Sequence, residues 1–428
     1  MVVPNLPGAG SRSAAPLAES PGRRHQRRHQ PVRPPPGLDN TGESTVRFRF
    51  TREQDEFRKD VRRFLSDTLT PDFWAHHREH RLPGWSPEFS RAAAARGWLA
   101  TSWPVEYGGL GLGAIEQSIY MEEMAYAGAP QEHHRRAIQQ VGPSIMLFGT
   151  PEQKAGYLPK IASGEISFAM GLSEPNAGSD LANVETRAAR DGDEYVINGV
   201  KRYTSGAHYS DYLWCVARTD PDAPKHRGIS MIVVPLKSAG VEVRPLLDLQ
   251  GEHHFNYIYL NDVRVPVGNR VGEENRGWYV NAQTMDYERS GGAHIGSSRR
   301  LVDQAVRWVR ENPRYRLSDA DRSRLADIVT TGEVAWLLGY RVAWMRTQGL
   351  FPNHEASMVK LLTASIRQAV PNLMMHIMGV AGLAVEEATG DGDWGADYLE
   401  SASATVGQGT SEIQRNVIAT RGLGLPRG

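Results

Sequence analysis

Three stretches of this chain hold residue types that could do chemistry on a large polar ligand. The first is Gly171-Leu172-Ser173-Glu174-Pro175-Asn176-Ala177-Gly178-Ser179-Asp180-Leu181-Ala182. Pro175 and Gly178 break regular structure, and Ser173, Ser179 and Asp180 supply hydrogen-bonding groups, so backbone N–H groups are freed for a ligand. The second is Gly407-Gln408-Gly409-Thr410-Ser411-Glu412-Ile413-Gln414-Arg415. Its Ser411-x-x-Gln414 reads as a capping box, which predicts a helix from near Glu412 to before Gly422. Gly407, Gly409 and Thr410 then stand at a helix N-terminus, a natural place for an oxygen anion or phosphate. The third is Asp286-Tyr287-Glu288-Arg289-Ser290-Gly291-Gly292-Ala293. A Glu-Arg pair in a helix is ordinarily a solvated charge pair. Two glycines in a helix interior cost about 1 kcal/mol each against Ala, which points to close packing or a ligand beside that carboxylate.

These stretches must be held by the elements around them. Residues 1–45, with Pro34-Pro35-Pro36, Arg23-Arg24 and Arg27-Arg28, are expected to be a disordered tail. A helical domain is expected over 46–165, opening at the capping box Thr51-x-x-Gln54 with Phe57, Val61, Phe64 and Leu65 at helical spacing. Further helices are expected over Ala114–Ala127, over Gly142–Phe148 and from Pro151, a proline at a first helical position. Over 166–275 the apolar residues come in short β-rich runs such as Ile229-Ser230-Met231-Ile232-Val233-Val234, with turn signals at Asp191-Gly192, Asn198-Gly199 and Asn261-Asp262. This predicts a compact antiparallel β-domain, with Asn198-Gly199 as a hairpin turn. From 276 to 428 the helical period returns, and Pro371 is expected to kink or break the helix Ala356–Met378. The fold class is therefore α+β: a helical domain, a β-domain, and a C-terminal part resembling a helix bundle.

Bulk properties exclude several classes. The 428 residues carry 49 Lys+Arg and 49 Asp+Glu, a net charge of zero, which argues against nucleic acid or an anionic membrane as partner. No apolar stretch approaches the ~20 residues of a transmembrane helix. The single cysteine, Cys215, lies in an apolar run and reads as buried strand packing, and a cytoplasmic, reducing location fits. Gly109-Leu110-Gly111-Leu112-Gly113-Ala114 matches a dinucleotide fingerprint, but no parallel strand precedes it and no βαβ unit follows. His76, His77 and His80, and the adjacent pairs His133-His134 and His253-His254, do not make a metal-ligand set, so no metal is expected.

The motifs at 171–182 and 407–415 together resemble the acyl-CoA dehydrogenase family, and the resemblance covers about residue 50 to the end. It implies FAD as cofactor and oxidation of an acyl thioester to a trans-2-enoyl thioester. It implies that the 171–182 loop, through Leu172, Ser173 and Ser179, touches the flavin, with Ser179 also near the pantetheine. Tyr203, in Asn198-Gly199-Val200-Lys201-Arg202-Tyr203-Thr204-Ser205-Gly206-Ala207, stands where the family commonly has a Trp near the isoalloxazine, and Ser205 matches a flavin-bonding position. The 407–415 turn would sit beside the substrate thioester (Gln408, Gly409) and a neighbouring subunit's flavin (Thr410, Glu412). His376-Ile377-Met378-Gly379-Val380-Ala381-Gly382 looks like the family's Gln-x-x-Gly-Gly-x-Gly contact to the partner's FAD, with His376 in place of Gln and Val380 in place of Gly. The family's Arg-x-Thr-Phe segment is not matched by Asn312-Pro313-Arg314-Tyr315. Many members carry a Glu where this chain has Gln408, and an amide cannot take a proton. A minority place that Glu directly before an Arg on an earlier helix, which makes Glu288 the expected base and places Arg289 near CoA.

The resemblance further implies an electron-transfer flavoprotein as acceptor and a homo-oligomer (dimer or tetramer) or a hetero-oligomer with a paralogous subunit. Stretches 203–212 and 218–230 look like the actinobacterial branch, which includes enzymes of steroid side-chain degradation. Three alternatives stand beside this expectation: a flavin monooxygenase of the same fold, a non-catalytic partner subunit, and a carrier-protein thioester in place of CoA.

Overall fold

The computed structural model describes residues 49–79, 84–288, 292–383 and 393–426, with backbone only over 283–288. The expected tail at 1–45, His80 and Arg289 lie outside the described residues. All contacts below lie within Phe50–Gly428.

The first part is helical because its caps and apolar spacing agree. Helix α1 (Arg52–Thr68) starts at the reciprocal Thr51–Gln54 box and buries Val61, Phe64 and Leu65. Then come α2 (Pro71–Glu79), α3 (Pro87–Ala94), α4 (Ala114–Tyr126), α5 (Gly142–Phe148) and α6 (Pro151–Ala162). Helix α6 opens with Pro151 inside a second reciprocal box, Thr150 with Gln153. The Gly109–Ala114 stretch follows a short 3-10 turn rather than a strand. A Cβ at Gly109 would lie 2.1 Å from the Trp103 carbonyl oxygen, so this glycine serves packing.

The middle part is a sheet of strands β1 (Phe168–Gly171), β2 (Arg187–Asp191), β3 (Glu194–Lys201), β4 (Tyr212–Arg218), β5 (Ile229–Pro235), β6 (Val241–Leu246), β7 (Phe255–Pro266) and β8 (Arg270–Val271). The order is β6-β7-β3-β2-β4-β5-β8, with β1 beside β4. Pairing is mostly antiparallel, as expected. The exceptions are β1 with β4 and a single residue pair of β2 with β4, which are parallel. The long connections 172–186 and 202–211 allow this, whereas a two-residue turn joins only antiparallel neighbours. Strands β4 and β5 read as unbroken apolar runs because both faces are covered. Trp214, Val216, Met231 and Val233 pack with Phe64, Phe89 and Trp103 of the helical part. Their alternate neighbours Leu213, Cys215, Ile232 and Val234 pack with Tyr195, Ile258 and Val263 on the other face.

Two expected turns are instead bulged strand positions. Asn198-Gly199 lies inside β3, and the β2–β3 hairpin turns at Gly192-Asp193. The pairing of β3 with β7 shifts between Ile197 and Gly199, opposite Asp262, whose φ is +51°. Asn198 and Asp262 hydrogen-bond each other across the shift (Nδ2 to Oδ1 3.0 Å, N to Oδ1 2.9 Å). Gly199 is needed for close approach, since a Cβ there would meet Thr186 Oγ1 at 2.4 Å.

The last part is helical again: α7 (Gly277–Glu288), α8 (Gly292–Glu311), α9 (Asp319–Thr347), α10 (His354–Met378), α11 (Trp394–Ala404) and α12 (Ser411–Val417). Helix α10 runs unbroken through Pro371, contrary to expectation. Pro371 is buried, and packing of Ile366, Val370, Leu373 and Met374 against Val302, Ile328 and Ala335 holds the helix together around it.

Helices α4 and α8 cross closely. A Cβ at Gly292 would lie 3.0 Å from Met121 Cβ, and one at Gly296 would lie 2.2 Å from the Glu122 carbonyl oxygen. Beside this crossing Glu122 is buried and fully bonded: Trp336 Nε1 (2.9 Å) and Arg299 Nη1 (3.1 Å) donate to Oε1, and Tyr340 Oη and Arg58 Nη1 (3.2 Å) to Oε2. We expect Gly296→Ala to cost about 1–3 kcal/mol in a thermal or urea melt, because the backbone must move apart. Gly156→Ala, at an exposed position of α6 with nothing near its Cβ, is the control and should be neutral or stabilising by up to about 1 kcal/mol.

Candidate active site

The 171–182 loop is shaped by a buried carboxylate. Glu174 is 4 % exposed. It accepts from the backbone N–H of Glu185 (2.6 Å) and Thr186 (3.1 Å) and from Lys201 Nζ (2.6 Å). Lys201, wholly buried, also donates to the Val216 carbonyl at 2.6 Å. Burial raises the Glu174 carboxyl, but the Lys201 ammonium and the donated hydrogen bonds outweigh it and hold it below the usual carboxylate range. Pro175, Asn176, Gly178, Ser179 and Asp180 are left at the surface, while Leu172 and Ser173 are half-buried.

One backbone hydrogen bond ties this loop to the next candidate segment: Arg202 N–H donates to the Ser173 carbonyl at 2.8 Å. Tyr203 follows with φ +56°, a left-handed conformation that costs about 1–2 kcal/mol for a residue with a Cβ. The ring projects to the surface, 52 % exposed, with the Arg202 guanidinium 4.4 Å from its centroid and Phe255 edge-on at 6.0 Å. The start of β7 holds the segment: Thr204 N–H donates to Asn256 O (3.1 Å) and Gly206 N–H to His254 O (3.1 Å). Ser205 is half-buried. Leu172, Ser173, Tyr203 and Ser205 are thus brought together by adjacent chain segments.

The turn at 407–410 departs from the expected cap. Thr410, rather than Ser411, is the N-cap, and its hydroxyl accepts from Ile413 N–H at 3.2 Å. Gln414 turns back, and its Nε2 donates to the carbonyls of Gln408 (3.3 Å) and Gly409 (3.2 Å). The box fails because these carbonyls compete for the Gln414 amide. Gln408 has φ +59° and Gly409 +88°, two successive left-handed residues. Glu412 is exposed and paired with Arg415 at 3.3 Å. Burial first, and then the cations Lys360, Arg367 and Arg135, hold the imidazole of His294, the third residue of α8, down to about 3.

His376, Gly379 and Val380 are not brought to this turn. Lys360 on α10 donates to the Ala404 carbonyl at 2.8 Å, just before the turn. His376 lies sixteen residues further along that helix, about 24 Å at 1.5 Å per residue. It is exposed, with Nε2 3.4 Å from Asp321 Oδ1, and Val380 is 84 % exposed. Glu288 is the last residue of α7, and six positions later the chain reaches His294.

Glu132, Arg135 and Arg136 carry a second charged group that the motifs did not signal. Burial raises the Glu132 carboxyl, but the two guanidiniums outweigh this and bring it down to about 2. Arg135 Nη2 is 2.8 Å from Glu132 Oε1, and Arg136 bonds Oε2. Arg136 Nη1 comes within 3.6 Å of where a Cβ on Gly206 would stand, beside the Tyr203 segment. Only an i,i+3/i,i+4 Glu-Arg spacing hinted at it in the sequence. The paired histidines serve structure: His133 bonds Gly164 O at 2.9 Å, His134 bonds Ser90 Oγ at 2.8 Å, and His253 bonds Asn256 Oδ1 at 2.8 Å.

The helix–sheet–helix order, with a mostly antiparallel sheet between two helical parts, is the architecture expected of an acyl-thioester dehydrogenase. The chain matches the acyl-CoA dehydrogenase N-terminal, middle and C-terminal domains over residues 51–165, 169–263 and 275–423. It belongs to the acyl-CoA dehydrogenase family and is an oxidoreductase acting on acyl-CoA. It is 36% identical to acyl-CoA dehydrogenase FadE26 of Mycobacterium tuberculosis over 89% of this chain and 99% of that one. Among solved structures it is similar to the Tcur3481-Tcur3483 steroid ACAD (TM-score 0.80, 35% identity, 89% of this chain and 99% of that chain). It is also similar to the ChsE4-ChsE5 complex of Mycobacterium tuberculosis (TM-score 0.78, 35% identity, 90% and 100%).

Proposed function

We propose that this acyl-CoA dehydrogenase is FAD-dependent, uses Glu288 as its base, and acts on a CoA thioester from lipid or steroid breakdown. The observation that carries the reading is the Arg202–Ser173 hydrogen bond, which sets the two expected flavin loops side by side. The donor set fits a polar cofactor there. Thr204 is fully buried, yet its hydroxyl, like Arg202 Nε, has no hydrogen-bonding partner among the described residues. Leu172, Ser173, Ser179, Tyr203 and Ser205 would hold the flavin within one chain. Thr410 and Glu412, and separately His376, Gly379 and Val380, would contact the flavin of a second subunit.

FAD, when bound, supplies the hydride acceptor for the substrate β carbon. The residues of this chain do the rest. The thioester oxygen accepts from the main-chain N–H of Gln408, which stabilises the charge that develops as the α proton leaves. A main-chain donor is indifferent to whether residue 408 is Glu or Gln. Glu288 takes the α proton, and Arg289, Ser179 and Gly409 would contact the CoA portion. Together these events yield a trans-2-enoyl thioester.

Steroid-derived thioesters are the favoured class because one similar structure is described as a steroid ACAD. An electron-transfer flavoprotein would be the acceptor and the cytoplasm the location; among the described residues no helix is long and apolar enough to cross a membrane. The exposed His376 and Val380 favour assembly with a second subunit, paralogous or identical, over a lone chain. The test is the visible spectrum of the purified protein before and after anaerobic addition of acyl-CoAs, from short and branched chains to a steroid side-chain thioester. A yellow protein bleached by one of them supports the reading. A colourless protein that becomes yellow only with a co-expressed paralogue would replace it with a partner-subunit role.

A further inference from the structure

The Tyr203–Ser205 segment rests on one buried amide. Asn256, the second residue of β7, is wholly buried, and so is Thr204. The two residues bond twice. Thr204 N–H donates to Asn256 O at 3.1 Å, and Asn256 Nδ2 donates to Thr204 O at 3.0 Å. Tyr203, just before, has φ +56°, a conformation that a residue with a Cβ keeps only where its surroundings impose it. Ser205 follows directly. The amide therefore grips the chain between the two residues expected at the flavin.

Two histidines fix the amide in turn. His253 Nε2 lies 2.8 Å from Asn256 Oδ1, and His208 Nδ1 lies 3.1 Å from Asn256 Nδ2. The Thr204 carbonyl can only accept, so it sets which end of the amide is nitrogen. His253 must then donate from Nε2, and a neutral His208 must accept at Nδ1 and carry its proton on Nε2. The two rings are stacked, with centroids 3.8 Å apart and planes 16° apart. Tyr209 lies against His208, with centroids 3.9 Å apart, and stacks on Trp85 at 5.0 Å. Burial first, then His253 and His254, hold His208 down to about 4, so its Nδ1 lone pair is available at neutral pH. Nothing in the reaction scheme above uses Asn256, His208 or His253.

We propose that Asn256 is a positioning residue for the cofactor: it holds the Thr204 backbone so that Tyr203 and Ser205 meet the flavin, and the His208–His253 stack keeps its amide turned the right way. The proposal rests on the flavin-binding role given to that segment. The side chain suits the task, because one short planar amide offers a donor to the carbonyl and an acceptor to His253. An ionised aspartate would have the shape but no donor for Thr204 O.

The test uses the full chain with Asn256→Leu, His253→Leu and His253→Gln, and it has two readouts. One is the dissociation constant of FAD, followed by flavin fluorescence. The other is hydrogen–deuterium exchange over residues 202–207 in the flavin-free chain, with exchange in α6 as the control for folding. Asn256→Leu should weaken FAD binding by about 10- to 100-fold, since it leaves the Thr204 carbonyl without its side-chain donor. It should also speed exchange over 202–207 by about 10-fold and leave α6 unchanged. His253→Leu should weaken FAD by about 3- to 10-fold. His253→Gln, whose amide can donate from the same place, should recover most of that loss. His253 is only half-buried, so this pair decides the matter even where Asn256→Leu does not fold. Unchanged FAD affinity in Asn256→Leu, or a His253→Gln variant as weak as His253→Leu, would overturn the proposal. Unchanged exchange over 202–207 would overturn the hold on the segment itself, whatever the cofactor. A wild-type chain that takes up no FAD, with exchange as expected, would overturn the flavin reading and the proposal with it, and leave the hold on the backbone standing.

Discussion

Glu288→Gln should all but stop reduction of the flavin by substrate, lowering the anaerobic bleaching rate by about 10³- to 10⁴-fold, near the upper range for loss of a general base. The substituted amide has nearly the shape of the carboxylate and cannot take a proton. Substrate should therefore still bind and perturb the spectrum while bleaching fails. Gln408→Ala should lose far less, no more than about a hundredfold, because the main-chain N–H at 408 survives the change. The two rates, measured by stopped flow on flavin-loaded protein, separate the possible bases. A Glu288→Gln variant that bleaches at the wild-type rate, or a Gln408→Ala variant that loses more than it does, would remove Glu288 from the role. The geometry behind the contrast is that Glu288 closes α7, while Gln408 sits in a left-handed turn whose carbonyl is held by Gln414.

Lys201→Met should destabilise the protein by about 3–5 kcal/mol and lower its flavin content, because it leaves the Glu174 carboxylate buried without its cation. Lys201 and Glu174 are 27 residues apart in sequence and 2.6 Å apart in the fold. The pair also fixes the backbone at Glu185 and Thr186, so its loss loosens the loop that carries Leu172 and Ser173. In the wild-type chain the Glu174 carboxyl is held low. Its contribution is therefore present above the unfolded value of about 4.3 and is lost as pH falls through the lower folded value. In Lys201→Met, burial acts without the ammonium and favours the protonated acid. The gap in stability between the two proteins should thus be widest near pH 7–8 and shrink toward pH 5. Urea melts across that range, with the flavin-to-protein absorbance ratio, would show it. A gap that does not change with pH would mean that the ammonium is not what holds the carboxylate.

Much of the fold was legible because its signals are local. The Thr51–Gln54 box, the proline-led start of α6, and the unbroken apolar runs of β4 and β5 each depend on neighbours a few residues away. Local signals failed where a distant partner competed for the same group. Asn198-Gly199 has the wording of a hairpin turn, yet Asp262, 64 residues away, takes Asn198 and makes a bulge. Ser411-x-x-Gln414 has the wording of a capping box, yet Gln414 is drawn to the carbonyls of Gln408 and Gly409. Pro371 would break an isolated helix, but the core around it keeps α10 whole.

By itself the sequence determined the class of this protein: the order of helical and strand-rich parts, two Gly-containing loops suited to a polar ligand, and an amide at residue 408 that cannot take a proton. Those conclusions follow from residue type and short spacing, which the chain carries with it whether folded or not. Only the tertiary structure decided how the site is held. It set Lys201 under Glu174, laid Arg136 beside Gly206, folded Gln414 back onto the carbonyls of Gln408 and Gly409, and sent His376 and Val380 away from the turn along the length of α10. Each of these depends on which side chains packing brings within hydrogen-bond reach, and that is a property of the assembled core rather than of any stretch of residues within it.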